Sequence, residues 1–344
     1  MALGMERLRA AIVGSGGMAH TRASHLLSHE RAGVAGVSSR NMVTGRALAE
    51  RCGVAFTEDW RGVIERDDVD AVFVTTHNDS HAAMAGAALE AGKHVFVEYP
   101  LATTVEDADR LIALAAARGR VLHVGHDQAY VGWHQGIKSA AASLGRLLAV
   151  NGMLATPSRG GGRSVWRNRR LSGPPLMVGI AYVYHLLDLF GPAEWVEGTC
   201  TYDGLDDSGY YRSSVSTLTA SFVAGGVAQL LYIRGFTVPR DEQEQAMMFS
   251  DGFLSYRGYV SGSHSVEGHL TRVTHAGAQR LEFPDVHLAA AGKQNTERFL
   301  REVLDGAPVD PSTALAREAV AVALAAEEAA DHGGRVHLRR AARV

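Results

Sequence analysis

Through residue 126 the chain alternates short apolar runs with amphipathic stretches. Leu8–Val13, Val34–Val37, Val69–Thr75, Val95–Val97 and Val121–Val124 are apolar at most positions, broken only by Arg9, Asp70, Thr75 and His123, as strands covered on both faces are. A shorter strand is expected near Ala55-Phe56. Between the strands lie helical stretches. One runs through His29 with Ala23, Leu26 and Leu27 on one face, and others cover Val43–Arg51 and Trp60–Glu65. The next helix, capped by Asp79 or Ser80, stops at Gly92. The last opens on a Thr103/Glu106 capping box and carries the stripe Ala108, Leu111, Ile112 and Ala115. Such alternation predicts an α/β domain, a doubly wound parallel sheet, over residues 1–126.

From 127 the period changes. A helix is expected near Gly132–Ser143, a strand over Leu147–Gly152, and then a glycine-rich loop holding Arg159, Arg163, Arg167, Arg169 and Arg170. After a helix around Tyr184–Phe190, Ser214–Phe222 and Val227–Ile233 alternate in period two, with Leu218, Ala220 and Phe222 inward. This is the mark of a mainly antiparallel sheet with one solvated face. Asp241–Gln245 reads as a polar turn, and helices over Thr296–Asp305 and Thr313–His332 close the chain. Residues 127–344 are therefore expected as a second domain.

Composition narrows the function classes. With 46% hydrophobic and 21% charged residues the chain is ordinary for a soluble protein, and a net charge of −3 gives no reason to expect nucleic acid or membrane. Cys52 and Cys200 fit no metal or redox spacing, and Met1–Arg9 lacks a signal-peptide core, so a cytoplasmic setting is expected. Sixteen histidines show no dedicated ligand spacing, and no metal is expected.

The chemistry begins at Gly14-Ser15-Gly16-Gly17-Met18-Ala19, between a strand and a helix. The first glycine permits the turn, the second lets backbone approach a pyrophosphate, and the helix N-terminus faces the anion. After the next strand stands Ser38-Ser39-Arg40, where an NADH site usually carries an acid. Hydroxyls and a guanidinium suit a 2′-phosphate, so NADPH is expected over NADH. Thr75, Thr76, His77, Asn78 and His81 follow another strand end and are candidates for ribose and nicotinamide contacts. Gly92-Lys93-His94-Val95-Phe96-Val97 then delivers Glu98 and Tyr99 to a strand's carboxyl end, where Pro100 stops the ladder.

The glycine motif, the Thr75–His81 segment and Ala88-Leu89-Glu90-Ala91-Gly92-Lys93-His94-Val95 leading to Glu98-Tyr99-Pro100 resemble the Gfo/Idh/MocA oxidoreductase family. His185-Leu186-Leu187-Asp188 and Trp166-Arg167 echo family positions, as do the closing helices. The resemblance implies a Rossmann domain followed by an α+β domain with a large, mainly antiparallel open sheet. It also implies hydride transfer with a nicotinamide cofactor lying between the domains, and a homodimer or homotetramer built on the open sheet. Glu98, through its family counterpart, is a candidate for the cofactor ribose.

The departures carry as much. The family's Glu-Lys-Pro reads Glu98-Tyr99-Pro100, as in the biliverdin reductase branch, and its Thr-Pro-Asn reads Thr76-His77-Asn78. Ala181 stands where sugar dehydrogenases tend to carry an Asp four residues before the catalytic His. A phenol with an ordinary pKa near 10 is protonated at neutral pH, so Tyr99 suits proton donation better than abstraction. The alternative is a ring that only packs against ligand. His185 is the second acid–base candidate, and Asp188, at i+3, is placed to orient it. Gln128, Trp166, Arg167 and Asp188 complete the expected substrate contacts, the arginine loop being otherwise solvated or oligomer-facing. Reduction of a carbonyl, imine or conjugated C=N/C=C group by NADPH is the expectation. A sugar or cyclitol dehydrogenase without the lysine, or a redox-inactive NADPH-binding sensor, are the alternatives.

Overall fold

The computed structural model describes residues 6–157, 163–236, 240–261 and 265–338. The chain divides into one compact unit of Met1–His126 with Gly292–Arg317 and another of Asp127–Ala291 with Glu318–Val344. The first is a wound parallel sheet. Its elements run β1 (Leu8–Val13), α1 (Gly17–Leu27), β2 (Ala32–Ser38), α2 (Met42–Cys52), β3 (Phe56–Thr57) and α3 (Trp60–Glu65). They continue as β4 (Ala71–Val74), α4 (Asn78–Glu90), β5 (His94–Val97), α5 (Val105–Arg118) and β6 (Leu122–Val124). The strand order is β3-β2-β1-β4-β5-β6, parallel throughout. Every residue of β4 is buried, which is why its run shows no polar alternation. Because the order reverses between β1 and β4, their carboxyl ends diverge at the place where such sheets hold ligands.

Two helix starts differ from expectation. No side chain caps α4: His77 is the cap residue, and Ser80 Oγ donates back to His77 O at 2.8 Å from inside the helix. The cap of α5 is Thr104, whose Oγ1 accepts from Asp107 N at 3.1 Å. Thr103 and Thr104 each have an acid three residues on, and only the backbone decides which of them takes the extended cap conformation.

The second unit opens with α6 (Gly132–Ala141), β7 (Leu147–Pro157), α7 (Arg169–Ser172), α8 (Pro175–Val178) and α9 (Ile180–Phe190). It continues with β8 (Ala193–Asp203), β9 (Ser213–Phe222), β10 (Val227–Phe236), β11 (Asp241–Phe249), β12 (Gly252–Ser261), β13 (Ser265–Thr274) and β14 (Gly277–Leu281). Then follow α10 (Leu288–Asp305), α11 (Thr313–His332) and β15 (Val336–His337). The sheet order is β14-β13-β12-β11-β7-β10-β9-β8-β15, antiparallel except where β7 meets β10. In β9, Leu218, Ala220 and Phe222 face inward as the alternation requires.

Asp241–Gln245 is not a turn but the first half of β11, paired to β7 and β12. Its polar composition hid it. One face of the sheet is solvated, and on the other the buried amide of Gln245 has a polar partner in His185. α10 begins at Leu288 rather than Thr296, its alanine-rich start lacking a stripe of large apolar residues. From Gly292 this helix belongs to the first unit. There Phe299 sits edge-on to Phe73 and Phe96, with ring centres 5.3 and 5.7 Å away. His123 of β6 reaches Glu302 Oε2 at 2.8 Å and Asn295 Oδ1 at 2.6 Å. Among the described residues no helix is long and apolar enough to cross a membrane.

Candidate active site

The glycine turn after β1 is shaped for glycine twice over. Gly14 has φ 120°, and a Cβ there would lie 2.5 Å from Thr75 O. Thr75 closes the turn from the end of β4, its hydroxyl donating to Val13 O at 3.0 Å. Gly14 N donates to Ser38 O at 2.8 Å. A Cβ at Gly16 or Gly17 would meet nothing within 4 Å, and Gly16 caps α1 without a side chain. The first-turn N–H groups of α1, with Met18 exposed among them, are left for an anion. This cradle fits a dinucleotide pyrophosphate.

At the end of β2 the strand period separates neighbours. Ser38 is fully buried, which corrects its assignment as a cofactor ligand; it serves the turn through its main-chain oxygen. Ser39 Oγ and Thr44 Oγ1 each lie 2.7 Å from Ser15 Oγ, so three hydroxyls converge beside the glycine turn. Thr44 carries no local mark in the sequence, because it lies inside the next helix. Arg40, exposed, donates to His77 Nδ1 at 3.2 Å. A guanidinium only donates, so Nδ1 is the bare nitrogen, and burial together with Arg40 holds His77 below its ordinary pKa.

Thr76 Oγ1 accepts from Ser80 Oγ at 2.8 Å, and Asn78 starts α4 as a buried residue. His81 is corrected as well. It is buried, with Nδ1 2.8 Å from Pro100 O and Nε2 3.3 Å from Thr76 O, and it ties α4 to the segment after β5. Burial lowers its pKa, and a neutral imidazole has one N–H to give, which the shorter contact puts on Nδ1 toward Pro100 O.

At the end of β5, Glu98 is engaged inside the unit. Its Oε1 accepts from Arg22 Nε at 2.7 Å, and Arg22, with no exposed surface, also donates to Gly292 O at 2.8 Å. The guanidinium lies 4.6 Å from the centre of the Phe96 ring. Glu98 thus fastens β5 to α1 and to the returning helix. Beside it, half-buried Tyr99 precedes Pro100 through a cis peptide and stacks on His126, ring centres 5.4 Å apart and planes 9° from parallel. Burial pulls His126 down to about 3, so the ring under the phenol is uncharged at neutral pH. Its place at the end of β6, the strand next to β5, was the available signal.

The second unit holds a chain of polar groups that no sequence spacing announced. His134 of α6 places Nδ1 2.6 Å from His185 Nδ1 and Nε2 2.7 Å from Asp188 Oδ2. His185 Nε2 lies 2.9 Å from Gln245 Oε1, and the Gln245 amide reaches Tyr182 OH at 3.4 Å. Lys138 Nζ lies 2.9 Å from both oxygens of Asp188. Asp188 therefore orients His134 rather than His185, correcting the i,i+3 expectation. Both nitrogens of His185 have internal partners and the residue is 0% exposed. Burial, then the neighbouring His134, hold its pKa well below the ordinary value. For Asp188 burial acts upward, but the donors His134 and Lys138 outweigh it and hold the carboxyl at about 2.

The remaining candidates scatter. Gln128 lies in a 3-10 turn (Asp127–Tyr130) and Trp166 is 45% exposed. Arg167 is buried and donates to Arg212 O at 2.9 Å, so it braces the unit rather than facing a ligand. Arg163 pairs with Asp206, Arg169 with Glu327, and Arg170 donates to Asp207 O. Arg159 lies outside the described residues.

Comparison with known proteins agrees with this geometry. Residues 8–126 match the family described as an oxidoreductase family with an NAD-binding Rossmann fold, GFO_IDH_MocA. A dTDP-3,4-didehydro-2,6-dideoxy-alpha-D-glucose 3-reductase of Streptomyces antibioticus is 30% identical over 189 residues, 54% of this chain and 58% of that enzyme. An inositol 2-dehydrogenase of Salmonella typhimurium is 36% identical over 156 residues, 42% of this chain and 45% of that enzyme. The chain thus aligns with about half the length of these curated relatives. The biliverdin reductase of Synechocystis sp. PCC 6803, solved with biliverdin and NADP+, is 25% identical with a TM-score of 0.85, covering 94% of this chain and 99% of that one. Over residues 8–126 the chain is thus similar to the Gfo/Idh/MocA oxidoreductases.

Proposed function

We propose that this chain is an NADPH-dependent reductase of a carbonyl, imine or conjugated C=N/C=C group in a small metabolite. The observation that carries the reading is Tyr99. A phenol stacked on an uncharged imidazole stands where a sugar dehydrogenase of this family would carry its lysine. A lysine can serve as base for an alcohol; a phenol at neutral pH holds a proton to give. Gly14–Gly17 and the N-terminus of α1 hold the pyrophosphate, and Ser15, Ser39, Thr44 and Arg40 receive the 2′-phosphate. Bound NADPH supplies the hydride; Tyr99 supplies the proton or orients the accepting atom. The likeness to a biliverdin reductase that binds NADP+ supports the direction and the cofactor.

A second reading, a reductase of a sugar ketone, is favoured by the likeness to the Streptomyces ketosugar reductase and keeps the same donor. Loss of nicotinamide absorbance with a panel of ketosugars, imines and biliverdin tests both. On the accepted substrate, Tyr99→Phe is expected to lower kcat by about a hundredfold or more, the usual reach of a positioned acid. Turnover at the wild-type rate would remove Tyr99 from the proton path. Tight NADPH binding with no turnover on any candidate would make the protein a sensor instead.

A further inference from the structure

His134 and His185 meet Nδ1 to Nδ1 at 2.6 Å, a spacing that admits one proton between them. Two lone pairs there repel and two N–H groups clash, so the pair has a direction. Asp188 sets one end. Its carboxylate accepts from His134 Nε2 and from Lys138, so His134 carries a proton on Nε2 in every state. Gln245 sets the other end: it presents Oε1 to His185 Nε2 at 2.9 Å, the partner of an N–H, and turned over it would present its nitrogen to a lone pair there. The other groups packed on the pair stay neutral. Trp133 lies edge-on to both rings, and burial raises the phenols of Tyr182 and Tyr256.

We propose that Asp188, His134 and His185 form a proton relay in which a proton taken up at His185 Nε2 is stored as positive charge on His134. In the neutral state His185 carries its proton on Nδ1, donated to His134 Nδ1, and its Nε2 is a bare lone pair toward which Gln245 turns its amide nitrogen; the Oε1 contact at 2.9 Å is the arrangement of the proton-loaded state. A proton arriving at Nε2 forms an N–H bond there. The N–H bond at His185 Nδ1 breaks, and its proton forms a new N–H bond at His134 Nδ1. His185 ends neutral in its other tautomer, and His134 ends as an imidazolium against the Asp188 carboxylate. Run in reverse, the relay delivers a proton from His185 Nε2 once Gln245 gives way to an acceptor. This removes a difficulty left by burial: His185 never has to hold the charge that its surroundings disfavour. His134 and Asp188 are positioning residues that act through His185. Use of the relay in catalysis rests on the reductase reading above; its existence does not.

Imidazole nitrogen NMR on the full-length protein tests the relay directly. At high pH His185 is expected as the Nδ1–H tautomer. As pH falls, His134 is expected to become the imidazolium while His185 changes tautomer without gaining charge. Asp188→Asn is expected to lower the His134 midpoint by about one pH unit or more, tenfold in proton affinity. Lys138→Met, on the surface, is expected to raise it, and serves where Asp188→Asn does not fold. An Nε2–H tautomer of His185 at high pH, or His185 itself becoming the imidazolium, overturns the relay. The pH profile of NADPH oxidation separates the two ideas. With the NMR pattern as expected, a profile that moves with Lys138→Met joins relay to reaction. One that stays put leaves the relay standing and overturns its use.

Discussion

The end of β5 and the histidine pair of the second unit both gather titratable groups, and they are built in opposite ways. Glu98, Tyr99 and Pro100 are consecutive, set by a strand end at the edge of a topological reversal. His134, His185 and Gln245 come from α6, α9 and β11, the histidines 51 positions apart in sequence and His185 and Gln245 60 positions apart. The first arrangement leaves a half-buried ring on an uncharged neighbour. The second gives each nitrogen of His134 and His185 a polar partner inside the unit. Contiguity thus supplies an address, whereas convergence supplies a protonation state.

The sharpest way to break this comparison is to remove a buried charge from each place. Arg22→Met takes the guanidinium away from the buried Glu98 carboxylate and is expected to cost about 3–5 kcal/mol in urea unfolding. Asp188→Asn, in a partly exposed group, is expected to cost clearly less. Equal losses would mean that the two sites are built alike. Next in size is the glycine turn. Gly14→Ala meets both a positive φ and the Thr75 carbonyl, and is expected to cost about 1–3 kcal/mol and to weaken nicotinamide-dinucleotide binding in a calorimetric titration.

The smallest effect, per unit of pH, comes from buried imidazoles. His126 is held down to about 3 and His94 to about 4, both by burial first. Such groups contribute stability that is full above the ordinary histidine pKa near 6.5 and is lost as pH falls toward their folded values. The unfolding midpoint should therefore fall from about pH 6.5 downward, by at most about 1.4 kcal/mol per pH unit for each group. His126→Phe should flatten that slope. Asp188, held at about 2, adds a second loss below about pH 4, which Asp188→Asn abolishes. A stability profile flat from pH 7 to 4 would contradict the neutrality assigned to the ring beneath Tyr99.

Much of the Rossmann unit is legible because its signals are local. Gly14 needs its φ, β4 needs apolar residues on both faces, and Tyr99 announces itself by standing beside Pro100. The misreadings share a cause. Asp241–Gln245 looked like a turn because its polarity answers to distant partners, and Ser38 looked like a ligand because strand register, not composition, decides which of two adjacent serines is exposed. His134, Thr44 and Arg22 carried no local mark.

By itself, then, the sequence determined the wound sheet, the phosphate cradle after β1 and the placing of a phenol at the end of β5. Those follow from steric limits and periodicities that act within a few residues. Only the tertiary structure decided that Arg22 secures Glu98, that Gly292–Arg317 returns to the first unit, and that His134 stands between His185 and Asp188. The local preferences of those residues are compatible with many partners. Burial, by requiring each polar group to find one, made the choice.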